Sequence, residues 1–234
     1  MPGILYLIPV PLGPVDPAIC LPPDTLAIAR RLDCFVVERA KTARAHLKAI
    51  GHPMPMQRIE MHELNEHTPA SDIEALLAPL LAGRDLGLLS EAGCPAVADP
   101  GAALVMAAHR RQVPVVPLIG PSAILLALMA SGLGGQRFAF HGYLPAKEPE
   151  RSQAIRELEK RARRDHATQL FIETPYRSAA LLDTLANTLS PEISISVGAD
   201  LSLPGQLIQT RSAHDWRGRP DAVKDRLVVF GIGA

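Results

Sequence analysis

Turns rich in proline and glycine are the segments of this sequence whose residue types and spacing best suit ligand chemistry. The 234 residues include 22 prolines and 17 glycines. Such turns hold backbone N–H and C=O groups in fixed directions, so little ordering entropy is lost when a ligand binds. Five of them follow short apolar runs, at residues 9–13, 93–95, 99–101, 120–122 and 174–176. We interpret them as the rim of a ligand cleft, although α/β proteins also need tight turns for the fold alone.

The common phosphate-binding motifs are absent from these turns. The sequence contains no GxGxxG and no GxxxxGK[ST] pattern, which are the dinucleotide and Walker fingerprints. The glycine cluster at 132–135 follows an apolar helical run and is interpreted as a C-terminal cap. We therefore expect a ligand that does not depend on a pyrophosphate-binding loop.

Histidines and serines give weaker indications of chemistry. His62 and His67, with Glu63 and Glu66, could suggest a metal site, but a spacing of five residues does not place two imidazoles on one helix face. A polar loop is the favoured interpretation, and no metal is predicted. No Gly-x-Ser-x-Gly elbow supports serine hydrolysis. His141 is either a base or a structural residue, so the catalytic group is left unknown.

The elements that must position the turns alternate in the first half of the chain. Between the predicted strands lie helical patterns, and this order is typical of βαβ units and a parallel sheet. Ser71 with Glu74 forms a capping-box pattern, and Asp24 is a plausible N-cap. The predicted strands are 4–8, 34–37, 86–89 and 113–116, and the predicted helices are 25–32, 42–50, 71–81 and 101–111.

The second half of the chain has a looser pattern. Its last strands follow one another without intervening helices, which favours antiparallel pairing. The predicted strands are 138–140, 169–173, 193–197, 206–210 and 227–232, and the predicted helices are 149–164 and 176–189. We expect two α/β domains, 1–118 and 119–234, the first with a mostly parallel sheet and the second with a mixed one.

Composition excludes several classes of protein. Hydrophobic residues make up 47% of the chain, and the 24 Lys and Arg balance the 24 Asp and Glu. A disordered chain, a coiled coil and a protein that binds nucleic acid through bulk positive charge are therefore excluded. Two local basic groups remain: residues 147–164, with an excess of three positive charges, and the group Arg39, Lys41, Arg44 and Lys48. Either a solvated helix face or a surface that contacts a nucleic-acid phosphate backbone explains them.

Cysteine usage and the chain start favour the cytoplasm. Cys20, Cys34 and Cys94 are odd in number and form no CxxC pair, so neither a disulfide framework nor a zinc site is indicated. The start of the sequence has no basic segment and several early prolines, unlike a signal peptide. The uncharged stretch 112–136 is interrupted by proline and glycine, so no membrane contact is expected.

Residues 90–101, SEAGCPAVADPG, resemble the S-D-A-G-x-P-x-x-x-D-P-G signature of the tetrapyrrole methylase superfamily, in its ribosomal RNA small subunit methyltransferase I branch. Further similar segments follow in the family's order and cover nearly the whole chain. They are residues 7–13, 64–68, 117–123, 140–147 with Arg151, and 171–177. In the signature, Glu91 stands where the family usually has Asp.

The resemblance implies a homodimer of two-domain α/β chains that bind S-adenosylmethionine in the cleft between the domains. The implied cofactor-binding residues are Pro11, Gly13, Ser90, Glu91, Ala92, Gly93, Pro95, Gly120, Pro121, Ser122, Ala123, Glu173, Thr174, Pro175 and Tyr176. This cofactor carries no phosphate, which agrees with the missing phosphate loops. Its sulfonium favours carbonyls or a carboxylate such as Glu91. Gly120 is expected to allow close approach of the backbone.

Two methyl acceptors follow from the resemblance. The favoured one is a ribose 2′-hydroxyl of small-subunit ribosomal RNA, with Arg39, Arg44, Lys147 and Arg151 as substrate-binding residues. The alternative is a carbon of a tetrapyrrole, whose acidic side chains the same cations would suit. The family's E-D-T-R stretch is altered here at residues 38–42, and the sequence ends soon after residue 232, without the C-terminal extension common in the rRNA branch.

Overall fold

Two five-stranded sheets, one in each half of the chain, organise the fold. The computed structural model describes residues 1–234. Its contacts divide the chain into an N-terminal unit, Met1–Ser122, and a C-terminal unit, Ala123–Ala234. No helix combines the length and apolar character needed to cross a bilayer.

The N-terminal sheet is parallel throughout. Its strands stand in the order β3-β2-β4-β1-β5, and every neighbouring pair is parallel. The central strands are continuous apolar runs because helices cover both faces of the sheet. The strands are β1 (Leu5–Ile8), β2 (Cys34–Val37), β3 (Glu60–Glu63), β4 (Leu86–Leu89) and β5 (Val115–Pro117). The predicted parallel sheet is confirmed.

Two apolar cores flank this sheet. One contains Ile8, Phe35 and Leu47, and the other contains Leu77 and Leu104. The helices that supply them are α1 (Pro23–Arg31), α2 (Ala40–Ala49), α3 (Ala70–Ile73), α4 (Ala78–Leu81) and α5 (Gly101–Arg110), with 3₁₀ turns at Pro17–Ile19, Met56–Arg58 and Ala75–Leu77.

The prediction of a single helix over residues 71–81 is wrong. The structure divides it into α3, a 3₁₀ turn and α4. Pro79 lies in the first turn of α4, and proline cannot continue a helix because it lacks an N–H and clashes with the carbonyl four residues earlier. The capping box is also wrong, since α3 begins at Ala70 and the Ser71 hydroxyl donates to Asp72 Oδ1 at 2.9 Å.

Two further local predictions are corrected. Asp24 lies inside the first turn of α1, and the N-cap position belongs to Pro22. The Asp24 carboxylate therefore stabilises α1 through its interaction with the helix dipole and not as a cap. Residues Glu60–Glu63 form β3, although the sequence predicts a polar loop at His62 and Glu63. The strand lies at the sheet edge and alternates little in polarity, so its sequence does not mark it as a strand.

The C-terminal sheet is mixed, in the order β6-β7-β10-β8-β9. β6 is parallel to β7, and the other neighbours are antiparallel, which confirms the expected antiparallel end. The strands are β6 (Phe138–Tyr143), β7 (Thr168–Glu173), β8 (Ser194–Ala199), β9 (Leu207–Ser212) and β10 (Val228–Gly233).

Helices of the C-terminal unit pack on this sheet around a core that includes Phe171, Phe230 and Trp216. Trp216 is fully buried, and its indole donates to Ile195 O at 2.9 Å. The helices are α6 (Ala123–Ser131), α7 (Glu150–Asp165), α8 (Pro175–Thr188) and α9 (Ala213–Trp216). Gly132 follows α6 with φ of 72°, as the predicted cap requires.

Candidate functional site

Three of the proline- and glycine-rich turns meet at the carboxyl edge of the N-terminal sheet. Val10 and Gly93 exchange backbone hydrogen bonds of 2.9 and 3.1 Å. The Cys94 thiol donates to Pro121 O at 3.4 Å. The structure thus brings together the turns after β1, β4 and β5, which contain the predicted residues from Pro11 to Ser122.

Two glycines make this approach possible. Gly93 has φ of 72°, and a Cβ there would lie 3.2 Å from Leu12 Cδ2. A Cβ on Gly120 would lie 2.3 Å from Pro9 Cβ. Gly120 therefore allows one turn to pack on another, which is a different reason from the predicted approach to a ligand.

The turn after β4 holds its shape through its own hydrogen bonds. The Ser90 hydroxyl faces Gly93 O at 3.1 Å. The Asp99 carboxylate accepts from Ala96 N at 2.8 Å and from Gly101 N at 2.7 Å. Pro95 is buried beneath this turn, whereas Glu91 and Ala92 are exposed. The turn is therefore rigid and presents its acidic residue outward.

Carboxylates gather at this edge. The pKa of Glu38, which follows β2, is raised by burial and then by the negative charges of Asp99 and Glu91. Burial also raises the pKa of Asp99, although two backbone N–H groups oppose the shift. The Thr42 hydroxyl lies 2.5 Å from Glu91 Oε1. The edge is therefore an environment of negative potential that favours a cation.

A cavity of 390 Å³ opens between the turn after β1 and helix α2. Its lining includes four of the predicted cofactor residues, Pro11, Gly13, Ser90 and Glu91. The other lining residues are mostly small and apolar, namely Val10, Pro14, Val15, Pro17, Ala43, Ala45, Ala49 and Leu89, together with Thr42 and His46.

His46 is a lining residue that sequence reasoning missed. Burial lowers its pKa to about 4, so the imidazole is neutral at physiological pH. Its Nε2 is buried and has no hydrogen-bond partner. The available indication was its position three residues after the buried Ala43 on one face of α2.

The predicted substrate-binding cations lie in both units. Arg39 and Arg44 are exposed at the start of α2 and on its surface. In the C-terminal unit, Lys147 is exposed, whereas the Arg151 guanidinium donates to Ala146 O and lies 3.9 Å from Glu148. Arg151 is therefore partly engaged by its own neighbours.

The turn after β7 is held by Glu173. This carboxylate is 6% exposed, and its Oε1 accepts from Thr174 N at 2.7 Å and from Arg177 Nη2 at 2.7 Å. Pro175 begins α8, and Tyr176 is 75% exposed with the Arg177 guanidinium 5.4 Å from its ring centroid. Glu173 thus orders the start of α8. Ala123 begins α6, directly after Ser122.

The histidines fall at separate places. His62 lies on β3 and contacts Glu60 at 2.8 Å, whereas His67 lies in the following loop and contacts Glu66 at 3.6 Å. His141 forms a hydrogen bond of 2.7 Å with Gln169. The predicted loop is therefore correct for His67 and wrong for His62.

One group with metal-ligating atoms occurs on β2 and β3, where Cys34 and Glu60 are the first residues of their strands. Atoms of Cys34, Glu60 and His62 lie within 4.8 Å of one another. Glu60 is already ion-paired with Arg84 and hydrogen-bonded to His62. Burial, followed by the charge of Glu60, raises the pKa of the Cys34 thiol to about 11. Glu60 and His62 therefore already have hydrogen-bonding partners within the protein, and the Cys34 thiol stays protonated.

Sequence comparisons relate the chain to characterised proteins, although no family model matches it. Ribosomal RNA small subunit methyltransferase I from Xylella fastidiosa is 34% identical over 242 residues, covering 100% of this chain and 82% of the relative. The protein of the same name from Synechocystis sp. is 32% identical over 200 residues, covering 86% of this chain and 67% of the relative.

Solved structures show the same fold. The methyltransferase CobJ matches with a TM-score of 0.65 and 20% identity, covering 100% of this chain and 94% of the other. Uroporphyrin-III-C-methyltransferase from Thermus thermophilus matches with a TM-score of 0.60 and 19% identity, covering 100% and 93%. The chain is a methyltransferase with the tetrapyrrole methylase fold, and it belongs to the ribosomal RNA small subunit methyltransferase I family.

Proposed function

We propose that this protein transfers a methyl group from S-adenosylmethionine to a ribose 2′-hydroxyl of small-subunit ribosomal RNA. The observation that carries the cofactor part is the joining of three rigid turns beside a cluster of carboxylates. The names of the relatives support small-subunit ribosomal RNA as the substrate, and the ribose 2′-hydroxyl is the acceptor that the family resemblance implies. The proposed acceptor is therefore supported by sequence similarity alone, whereas the proposed cofactor is supported by sequence similarity and by the geometry of the turns.

The residues of the N-terminal unit suit S-adenosylmethionine. Its adenosine and methionine parts need hydrogen-bonding groups and apolar walls, which the turn backbones and the cavity of 390 Å³ offer. Its sulfonium needs negative charge, which Glu38 and Glu91 supply. We propose residues 11–13, 90–95 and 120–123 as cofactor-binding. The same role for residues 173–176 stays a prediction, because Glu173 already serves Thr174 and Arg177.

When bound, the cofactor supplies an electrophilic methyl group. Residues 11–13, 90–95 and 120–123 would hold the cofactor, and transfer of its methyl group to the acceptor oxygen would leave a neutral thioether, with the hydroxyl proton passing to solvent water. The protein's part is to align the reacting atoms, since proximity supplies most of the rate in such displacements. Rigid turns that need no rearrangement on binding suit this task.

A tetrapyrrole carbon is the second candidate acceptor, because the matched solved structures include tetrapyrrole methyltransferases. Those matches are at most 20% identical, so they support the fold alone. The sequence relatives at 32–34% identity are all named for ribosomal RNA. We therefore favour RNA.

An experiment with two substrates tests the choice. Purified protein and cofactor with a labelled methyl group are incubated with small ribosomal subunits in one arm and a precorrin-type tetrapyrrole in the other. We expect label in the RNA only. Label in the tetrapyrrole and none in the RNA would overturn the proposed acceptor.

We also propose that the protein is a cytoplasmic homodimer. Ribosomal RNA as substrate supports the location. Self-association is supported by α6, which is apolar all round although Leu125 and Met129 on it are 57% and 78% exposed. A helix of this kind is normally buried, and a second copy of the chain would bury it.

A further inference from the structure

A second cavity, of 500 Å³, lies wholly within the C-terminal unit. It is formed by the first residues of β6 and β7 and by the last turns of α7. The turn at residues 173–176, for which cofactor binding stays a prediction, lies at the other end of β7, about 16 Å away along the strand at 3.3 Å per residue. The proposed function makes no use of this cavity.

The charge around this cavity is mainly positive. Arg137, Arg161 and Arg164 line it, against two carboxylates, Glu157 and Asp165. Arg161 lies 3.4 Å from Glu157 and Arg164 lies 2.7 Å from Asp165. Arg137 is exposed and forms no ion pair, although its charge acts on Asp165. Arg137 is therefore the guanidinium most available to an anion, and Arg161 and Arg164 would have to exchange a carboxylate for it, which is inexpensive because exposed ion pairs are weak.

An aromatic face accompanies these charges. Phe138, next to Arg137, is 43% exposed. It begins β6, which is an edge strand and pairs on one side only, with β7. Exposed aromatic rings beside arginine are the usual means of binding single-stranded RNA, because bases stack on the ring while the guanidinium groups meet the phosphates.

A buried polar pair adds a fixed hydrogen-bonding group. Gln169 is 2% exposed, and its Nε2 donates to Ala167 O at 2.8 Å. Its Oε1 therefore faces His141, whose Nε2 lies 2.7 Å away and donates. In the neutral ring this leaves Nδ1 of His141 as an acceptor. His141 lines the cavity, so it offers an acceptor suited to a ribose hydroxyl or a base amino group.

We propose that this cavity binds a single-stranded segment of the RNA substrate, away from the methylated nucleotide. The inference rests on the proposed function, since it takes the substrate to be RNA. In it, Phe138 stacks with a base, and Arg137 with Arg164 contacts the phosphates. An excess of positive charge, an exposed ring and a preorganised acceptor in one cavity carry the proposal.

The test compares Arg137→Ala and Phe138→Ala with the wild type. Arg163→Ala is the control, because Arg163 lies on α7, which borders the cavity, but it pairs with Glu159 and Glu192 and does not line the cavity. Affinity for a protein-free, single-stranded RNA from the small subunit is measured at several salt concentrations. The KM and kcat for methylation of small subunits are measured in parallel.

We expect each cavity variant to weaken RNA binding about tenfold and to raise KM with kcat unchanged. For Arg137→Ala, the salt slope of log Kd should fall by about 0.7. The control should match the wild type. Unchanged RNA affinity in both cavity variants would overturn the inference, and so would a raised KM for subunits without any loss of RNA affinity, which would indicate a ribosomal protein in the cavity.

Failure of the inference is separable from failure of the proposed function. A wild-type protein that methylates small subunits, with cavity variants that behave identically, refutes the inference alone. A wild-type protein that neither methylates subunits nor binds the RNA refutes both.

Discussion

At the scale of single residues, Glu91 supplies negative charge for the proposed sulfonium site. It is exposed beside the cavity of the N-terminal unit and shares a hydrogen bond with Thr42. S-adenosylmethionine has a positive sulfonium, whereas S-adenosylhomocysteine has a neutral sulfur. A carboxylate near that sulfur must therefore distinguish the two molecules.

Glu91→Gln removes the charge with little change of shape. We expect calorimetry to show about fivefold weaker binding of S-adenosylmethionine and nearly unchanged binding of S-adenosylhomocysteine, as for an exposed charge worth about 1 kcal/mol. Glu74→Gln, whose carboxylate pairs with Arg111 instead, is the control and should change neither affinity. Equal weakening of both ligands by Glu91→Gln would contradict the electrostatic role.

His46 gives a prediction about pH. Burial lowers its pKa from 6.5 to about 4, so the unfolded chain binds more protons between these values. The free energy of unfolding is therefore highest above pH 6.5, where His46 is neutral in both states, and it decreases as the pH falls towards 4. Between pH 7 and pH 5 the loss should be about 2 kcal/mol. In urea unfolding, the free energy of unfolding of His46→Leu should fall by about 2 kcal/mol less than that of the wild type between these two pH values. The same fall in variant and wild type would refute the lowered pKa of His46.

At the scale of elements, the turns depend on close packing of backbone. A Cβ on Gly120 would lie 2.3 Å from Pro9 Cβ. Gly120→Ala should therefore push the turns after β1 and β5 apart, lower the free energy of unfolding by about 1–3 kcal/mol and weaken S-adenosylhomocysteine binding. Gly135→Ala, where the nearest atom is 3.8 Å away, should change little in urea unfolding or calorimetry. Equal effects of the two substitutions would show that the turn packing is unimportant.

The elements also show what a sequence can predict. β1, β2 and β4 are apolar runs buried on both faces, so their composition identifies them. β3, Glu-Met-His-Glu, is polar because it is an edge strand, and no periodicity distinguishes it from a loop.

Candidate site residues follow the same rule. The turns could be predicted because proline and glycine mark them, but their meeting at one edge depends on strand order. His46 lines the cavity because α2 lies beside the turn after β1. Contacts between segments distant in sequence leave no local pattern, and the helical spacing from Ala43 does not by itself place His46 in a cavity.

At the scale of the whole molecule, self-association is the open prediction. If the exposed face of α6 meets a second copy, Met129→Lys should place a charge in that interface and yield a monomer in sedimentation at micromolar concentration. Met106→Lys, at a residue of α5 that is 54% exposed, is the control and should stay dimeric. A wild-type monomer at the same concentration would contradict the homodimer.

Identification of the methylated nucleoside tests whether this protein methylates a ribose of small-subunit ribosomal RNA. Small subunits are incubated with the protein and labelled S-adenosylmethionine, and their RNA is then digested to nucleosides and analysed by mass spectrometry. We expect one new 2′-O-methylated nucleoside that carries the label and is absent when the protein is omitted. RNA without label, from subunits treated with protein that binds the cofactor, would contradict this expectation.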